Sequence, residues 1–183
     1  MPMVRTGQDG AAAAAGSPTD DALADFSAFY RAEHAAVVGT IYALTGDWAR
    51  AEELAQDVFV SAHRHWERIL VHPRPDLWVR RAAVNRSTSW FRRRRVEQRA
   101  LAREHGAAPQ IADPPPDDLA WLLDHVRRLP RQQAHAVVLV HVEQLTKAEA
   151  AHVLGCSEST LRTHLQRGRA ALRARIEEEG PDA

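Results

Sequence analysis

Residues 104–118, EHGAAPQIADPPPDD, contain four prolines and show no regular spacing of apolar residues. Proline lacks a backbone N–H and has a fixed φ angle, so three prolines in a row interrupt helices and central strands alike. Such a stretch is typical of a tether between folded units. Because 183 residues suffice for two small domains, we predict one domain on each side of it.

The chain ahead of the tether has the apolar spacing of helices, and nothing in it indicates a sheet. Apolar residues recur at helical steps from Leu23 to Leu44. Gly46 is suited to end that helix and Asp47 to cap the next one. After a loop with two prolines, residues 77–103 form a third helical pattern.

The chain behind the tether is also helical throughout. Two helical patterns meet at Pro130, and the second of them is strongly apolar. A further helix begins at Thr146, with Glu149 at the spacing of a capping box. Gly155 is suited to end this helix and Ser157 to cap a last one. Two helices joined by a short turn that contains glycine form the helix-turn-helix pattern, so the predicted fold is all-α with two small helical domains.

Positive charge is concentrated in two blocks, although the formal net charge is zero. Residues 80–103 sum to +8 and residues 159–176 to +5, whereas the remaining stretches are acidic. Two basic blocks separated by acidic stretches indicate two contacts with a polyanion.

Composition argues against several classes of protein. No run approaches the roughly 18 apolar residues of a membrane span, and no secretory signal is present. The single cysteine, Cys156, rules out an internal disulfide and fits a reducing cytoplasm. The ten histidines are scattered, and no catalytic or phosphate-loop motif occurs. We therefore predict a cytoplasmic protein with no membrane insertion, catalytic residues, cofactor or metal, and no enzyme activity.

The second basic block has a helical arrangement suited to DNA. Leu161, Leu165, Gly168 and Leu172 share one face and are expected to pack inward. Polar and arginine side chains face outward, and those near the start of such a helix can reach base edges in the major groove. Arginines further along more naturally hold phosphates. A solvated basic face on an ordinary helical hairpin is the alternative.

The first basic block places aromatic residues among arginines. Trp78, Trp90 and Phe91 alternate with arginines between residues 80 and 95. This pattern suits the stacking of unpaired bases along a positive track. It equally fits tryptophans that pack in the core while the arginines are solvated.

Three motifs, in order, resemble the extracytoplasmic-function (ECF) sigma factors of bacterial RNA polymerase. DWARAEELAQDVFVSAHRHW resembles region 2.2, and PDLWVRRAAVNRSTSWFRRRR resembles regions 2.3 and 2.4. LPRQQAHAVVLVHVEQLTKAEAAHVLGCSESTLRTHLQRGRAALR resembles region 4. The chain departs from the family where Ser159-Thr160-Leu161-Arg162 replaces the usual Gly-Thr-Val-Lys, and where Gly168 replaces alanine.

The resemblance implies a division of the chain into functional parts. Residues 1–19 would be a disordered tail, 20–103 sigma region 2, 104–116 a flexible linker, 117–176 sigma region 4, and 177–183 an acidic tail. It also implies core RNA polymerase and promoter DNA as partners, with an anti-sigma factor as a further one.

The resemblance also implies three sets of site residues. Contact with the polymerase falls to Glu52, Glu53, Gln56, Asp57 and Phe59, which form an acidic face beside an apolar anchor. Recognition and melting of the minus-ten element, with a base flipped toward the loop and Asn85, fall to His72, Arg74, Asp76, Arg81, Asn85, Arg86, Arg92 and Arg93. Recognition of the minus-thirty-five element falls to Glu158, Ser159, Thr160, Arg162, Thr163, Gln166, Arg167 and Arg169.

Two other functions fit the residues without the resemblance. One is a stand-alone helix-turn-helix regulator with an N-terminal sensing or dimerising domain, which would bind duplex DNA tightly by itself. The other is a helical interaction or scaffold protein, which would show no salt-dependent affinity for DNA.

Overall fold

A computed structural model describes residues 18–101 and 117–179 of the chain, with side chains placed for 25–94 and 119–178. The predicted linker, 104–116, and most of the two predicted tails lie outside these residues. No strand occurs in the two described ranges, so the predicted all-α fold is confirmed. None of the helices in these ranges is long and apolar enough to cross a membrane.

The first half consists of four helices: α1 (Pro18–Thr45), α2 (Trp48–Arg64), α3 (Trp66–Leu70) and α4 (Pro75–Leu101). Gly46, at φ +73°, ends α1 as predicted. The Asp47 carboxylate then caps α2 by accepting a hydrogen bond from the Arg50 N–H at 2.9 Å. α1 begins at Pro18, two residues before the predicted start, because proline is favourable in the first turn of a helix.

Aromatic rings of α1 pack against the largely aliphatic core of the first half. Phe29 and Tyr30 of α1 pack edge-on against Phe59 of α2, at centroid distances of 6.3 and 4.8 Å. Phe26 packs edge-on against Trp66 at 5.2 Å. Edge-on pairs of this kind stabilise a core beyond the area they bury, and they fix α1 against α2 and α3.

The second half also consists of helices: α5 (Asp117–Arg127), α6 (Arg131–Val137), α7 (Lys147–Leu154) and α8 (Glu158–Glu179). α6 continues into a π-helical turn, Val138–Val142. The sequence predicted one uniform apolar helix here. Residues 138–142 form a wider turn instead, in which the Glu143 N–H donates to the Val138 carbonyl at 3.0 Å.

The two halves pack against each other. α1 contacts α5 and the π turn, while α4 contacts α7. The Arg127 side chain of α5 lies so close to Gly46 that a Cβ there would stand 2.9 Å from its Nε atom. We call this packing the closed arrangement. It involves residues predicted to bind DNA.

Candidate nucleic-acid interface

The helix-turn-helix geometry arises from three local signals. Thr146 and Glu149 form the predicted capping box, with the Glu149 N–H donating to Thr146 Oγ1 at 3.2 Å and the Thr146 N–H donating back to Glu149 Oε2 at 2.9 Å. Gly155 ends α7 in the left-handed conformation, at φ +66°. Ser157 Oγ then accepts from the Thr160 N–H at 3.2 Å and caps α8.

The residues of α8 that were predicted to pack inward are buried. Leu161 is 0% exposed, and Leu165 and Leu172 are also buried. Gly168 lies so close to α6 that an added Cβ would stand 3.1 Å from the Val137 Cγ2 atom. The absent side chain therefore permits a close helix crossing, which accounts for glycine at a position where the family usually has alanine.

The outward face of α8 carries the whole predicted minus-thirty-five set in exposed positions: Glu158, Ser159, Thr160, Arg162, Thr163, Gln166, Arg167 and Arg169. Arg169 is anchored, because its guanidinium donates to His141 Nε2 from two nitrogens at 3.1 and 3.3 Å. Burial, and then the charge of Arg169, lower the pKa of His141, so the ring is a neutral acceptor. The sequence contained no signal for His141, since the π turn positions it.

The loop before α4 is tied to the second half by ion pairs. Arg74 donates to both carboxylate oxygens of Asp76, at 3.0 and 2.8 Å, and also to Glu149 of α7. The hydrogen bond from Arg74 lowers the pKa of Asp76. Hydrogen bonding by Thr146, and then by Arg74, lowers the pKa of Glu149 to about 2. Of the predicted minus-ten residues, Arg74 is thus paired directly with the helix-turn-helix unit, and Asp76 is paired with Arg74.

Arg80 of α4 is the centre of a second ionic link between the halves. Its guanidinium donates to Glu33 of α1 at 2.7 Å and to Glu143, just after the π turn, at 3.0 Å. The side chains are largely buried, with Arg80 12% and Glu143 6% exposed. Burial acts to lower the pKa of Arg80, but the bonds and charges of the two glutamates raise it on balance. The sequence predicted no role for Glu33 or Glu143.

The remaining minus-ten residues are spread along the first half. His72 lines a cleft of about 300 Å³ together with His65 and the half-buried Trp78. Arg81 and Asn85 line a different cleft, toward α6 and α7. The prediction placed the His72 loop and Asn85 around one flipped base, but the structure does not bring them into one pocket, because Asn85 lies two turns or more along α4 from the loop.

The C-terminal part of α4 is a basic and aromatic surface. Arg92 and Arg93 are exposed, and the Arg94 guanidinium lies 5.0 Å from the centre of the Trp90 ring. Phe91 packs edge-on against Trp90 at 4.8 Å. Trp90 therefore packs partly on the core and partly under an arginine. Stacking of unpaired bases along this block stays a prediction.

The predicted polymerase-binding face of α2 is exposed at its four polar residues, Glu52, Glu53, Gln56 and Asp57. The predicted apolar anchor is not, because Phe59 is only 3% exposed and packs against α1. Helical spacing places position 59 on the core side of α2. The neighbouring Val60 is 50% exposed instead. Phe59 and Val60 both line an open groove of about 400 Å³ beside the acidic residues.

Comparison with known proteins identifies both halves. Residues 29–97 match the model of Sigma-70 region 2, and residues 119–172 match that of Sigma-70, region 4. The RNA polymerase sigma-E factor of Streptomyces avermitilis is 30% identical over 159 residues, which cover 87% of this chain and 89% of that protein. The ECF RNA polymerase sigma factor SigK of Mycolicibacterium vanbaalenii is 31% identical, covering 81% and 80%. The chain is an ECF sigma factor.

Solved structures give the same fold for this sigma factor. RpoE of Bartonella quintana, solved in complex with the anti-sigma factor NepR, superposes with a TM-score of 0.70 over 87% of this chain and 99% of that chain, at 20% identity. CnrH, solved with the cytosolic domain of CnrY, superposes with a TM-score of 0.64 at 21% identity.

Membership of this family establishes the general function of the protein. The sigma factor directs promoter-specific initiation of transcription by RNA polymerase. Sigma factors are in general not enzymes. Within the described ranges no group of three or more histidine, cysteine, aspartate or glutamate side chains could hold a metal ion.

Proposed function

We propose that this sigma factor reads a two-part promoter with surfaces on its two halves and attaches to core RNA polymerase through α2. The observation that carries the proposal is the division of faces on α8, where buried leucines lie opposite an unbroken row of exposed polar and arginine side chains. In this assignment α8 enters the major groove at the minus-thirty-five element. Residues 20–103 and 117–176 act as regions 2 and 4.

The polymerase contact that we propose combines charge with an apolar groove. Glu52, Glu53, Gln56 and Asp57 supply a carboxylate-rich rim, and Val60 supplies an exposed apolar side chain next to it. A partner with a complementary basic and apolar helix would bury the groove while its charges steer the encounter. Phe59 contributes the floor of the groove and no projecting anchor.

We assign promoter melting to the first half. The cleft beside His72, His65 and Trp78, at about 300 Å³, is large enough for one unstacked base, and the half-buried indole offers a stacking surface. Asn85 and the arginines Arg81, Arg86, Arg92 and Arg93 would then hold the strand further along α4. Trapping a base offsets an unpairing cost of a few kcal/mol, so that opening needs no ATP.

Recognition of the minus-ten element requires that the closed arrangement opens. Arg74 is paired with Glu149 of α7 and with Asp76, and Arg81 and Asn85 face the second half. We propose that binding to the polymerase separates the halves. An anti-sigma factor is a further partner that we propose, because the sigma factor RpoE of Bartonella quintana was solved in complex with the anti-sigma factor NepR. We also propose a cytoplasmic location and no catalytic activity, cofactor or metal.

Runoff transcription with purified core polymerase tests the proposed function. Added protein is expected to give a promoter-dependent transcript from a pool of genomic templates. A protein that binds duplex DNA tightly by itself but yields no such transcript would be a stand-alone regulator. A protein that shows no salt-dependent affinity for DNA, whether alone or with core polymerase, would be a scaffold.

Arg162 is expected to discriminate between bases of the minus-thirty-five element. Substitution Arg162→Ala should cost about 1–3 kcal/mol of discrimination at one base pair, because a bidentate contact to a base edge is lost. The measurement is binding of holoenzyme to a set of single-base promoter variants. Arg173→Ala, an exposed arginine further along the same helix, is the control. An equal loss of affinity for every promoter variant would mean that Arg162 contacts only phosphate.

Asn85 is expected to act in promoter opening and not in polymerase binding. Asn85→Ala should leave affinity for core polymerase unchanged and slow the appearance of permanganate-reactive thymines, because an amide contact to an unstacked nucleotide is lost. Glu67→Ala, an exposed substitution on α3, controls for general effects. Opening at the wild-type rate would remove Asn85 from the melting surface.

A further inference from the structure

A cleft of about 150 Å³ lies where α4 meets α6 and α7. Its polar lining comes from both halves of the molecule. Three aliphatic side chains complete the lining, and none of the lining residues is acidic. The polar members are Arg81, Asn85 and Thr88 of α4 and Arg131, Gln132 and His135 of α6. Every one of these groups can donate a hydrogen bond.

The two arginines of this cleft lack the carboxylate partners that other arginines of the contact region have. Arg74, Arg80 and Arg86 each form an ion pair, whereas within the described ranges neither Arg81 nor Arg131 does. Both arginines are exposed and bring positive charge to one small cleft without a carboxylate partner, so an anion in the cleft would be attracted to each of them.

His135 adds a neutral polar group to the same cleft. The side chain is 4% exposed, and burial, followed by the charge of Arg131, lowers its pKa to about 4. At neutral pH the ring is therefore uncharged, with one nitrogen that donates and one that accepts. The arginines are the formal charges of the lining.

The position of Arg81 is set by the turn between α7 and α8. Its guanidinium lies beside Gly155, where an added Cβ would stand 3.4 Å from the Nη2 atom. Arg81 thus extends across the contact between the halves, and the polar lining exists as a unit only in the closed arrangement.

We propose that this cleft binds a phosphate group, held between Arg81 and Arg131 and bridging the two halves of the molecule. The fork of a guanidinium matches two oxygens of a tetrahedral oxyanion, and the amides and the hydroxyl are placed for further bonds. One water occupies about 30 Å³ in the liquid, so the cleft holds about five waters, enough for one phosphate but not for a nucleotide base as well. The rest of a phosphate-bearing metabolite would extend into solvent.

Occupation of the cleft stabilises the closed arrangement by mass action, because the ligand contacts both halves only when they are together. If Arg81 and Asn85 bind promoter DNA, as the proposed function holds, then the ligand and the minus-ten strand compete for the same side chains. This consequence rests on the proposed function. The binding site itself does not.

Binding is tested with inorganic phosphate and the full-length protein in the absence of DNA and polymerase. Histidine ring resonances are followed by NMR as phosphate is added at constant ionic strength, with sodium chloride as the reference. We expect a saturable shift of the His135 signals and a rise of its titration midpoint from about 4, because an adjacent anion favours the charged imidazolium. Arg131→Gln should weaken binding about tenfold, the equivalent of one charge-assisted hydrogen bond.

Arg31→Gln is the matched control, because it removes an exposed arginine of α1 that does not line the cleft. This variant should bind phosphate as the wild type does. Equal weakening by both variants, or an equal response to chloride, would overturn the proposal. A nucleoside monophosphate distinguishes an organic phosphate from the free ion, and binding of either supports the site. If the His135 signals shift with a single-stranded oligonucleotide that lacks a terminal phosphate, and do not shift with phosphate, the cleft is a DNA contact and the proposed phosphate site is overturned.

Discussion

Replacing Arg80 with alanine is expected to separate the two halves of the molecule and to cost about 3–5 kcal/mol of their association, the usual effect of removing one partner from a buried ion pair. The reason is the environment of Glu143, which is 6% exposed and receives its hydrogen bond from Arg80 at 3.0 Å. Without the guanidinium, a buried carboxylate has no counter-charge and regains water only if the contact opens.

The opening can be measured in solution on the full chain. Small-angle X-ray scattering should show a larger radius of gyration for Arg80→Ala, and urea unfolding should show a lower midpoint. Arg92→Ala, a substitution of the same kind at an exposed position of α4, should change the free energy of unfolding by less than about 0.5 kcal/mol. Identical scattering and identical midpoints for the two variants would show that the ionic link does not hold the halves together.

Neutral replacement of Arg80 and the two glutamates hydrogen-bonded to it separates the effect of charge from that of packing. The triple variant Glu33→Gln, Arg80→Met and Glu143→Gln removes the two glutamate charges together with that of Arg80. Replacing a complete buried ionic group by neutral residues of similar size is often tolerated. We therefore expect the triple variant to recover most of the compact form. A triple variant as open as Arg80→Ala would mean that the attraction itself, and not the cost of an unpaired charge, maintains the contact.

Replacing Leu161 with alanine is expected to destabilise the second half by about 3 kcal/mol, because core Leu→Ala substitutions cost about 2–5 kcal/mol. Leu161 is 0% exposed on the inward face of α8, where it holds the helix against α6 and α7. A cavity there loosens the helix whose opposite face carries the predicted minus-thirty-five residues, so recognition of that element should fail while α2 stays intact.

Binding to core polymerase and recognition of the minus-thirty-five element can be measured separately. Leu161→Ala should retain affinity for core polymerase and lose protection of the minus-thirty-five element in footprints of the holoenzyme. Thr163→Ala, at an exposed position of the same helix, should leave stability within about 0.5 kcal/mol of the wild type. Simultaneous loss of polymerase binding in Leu161→Ala would show that the two halves do not fold or act independently.

Local signals explain which parts of the molecule could be predicted from its sequence. Thr146, Glu149, Gly155 and Ser157 each act on neighbours within a few residues, so the turn between α7 and α8 follows from the chain itself. The inward leucines of α8 likewise follow from helical periodicity. The exposed and buried faces of α8 are therefore as predicted, whereas the roles of its residues at a promoter stay predictions.

Contacts between segments that are distant in the sequence account for the features that could not be predicted. The pairing of Arg74 with Glu149 and of Arg80 with Glu143 joins residues about 60 to 75 positions apart, for which no periodic pattern exists. The position of His141 depends on a π turn that a run of valines did not reveal. Phe59 lies on the core side of α2, as its helical position allows, and is 3% exposed, so its part in a polymerase contact stays a prediction.

We propose that the two halves of this sigma factor contact one promoter at separate places while α2 holds the polymerase. It is tested most directly by photocrosslinking from position 162 and, separately, from position 85 in complexes with core polymerase and one promoter fragment. We expect position 162 to crosslink only to duplex DNA near the minus-thirty-five element and position 85 only to the melted strand near minus ten. Both crosslinks should depend on the polymerase. Crosslinks from both positions to the same segment, or with equal yield from the free protein, would contradict it.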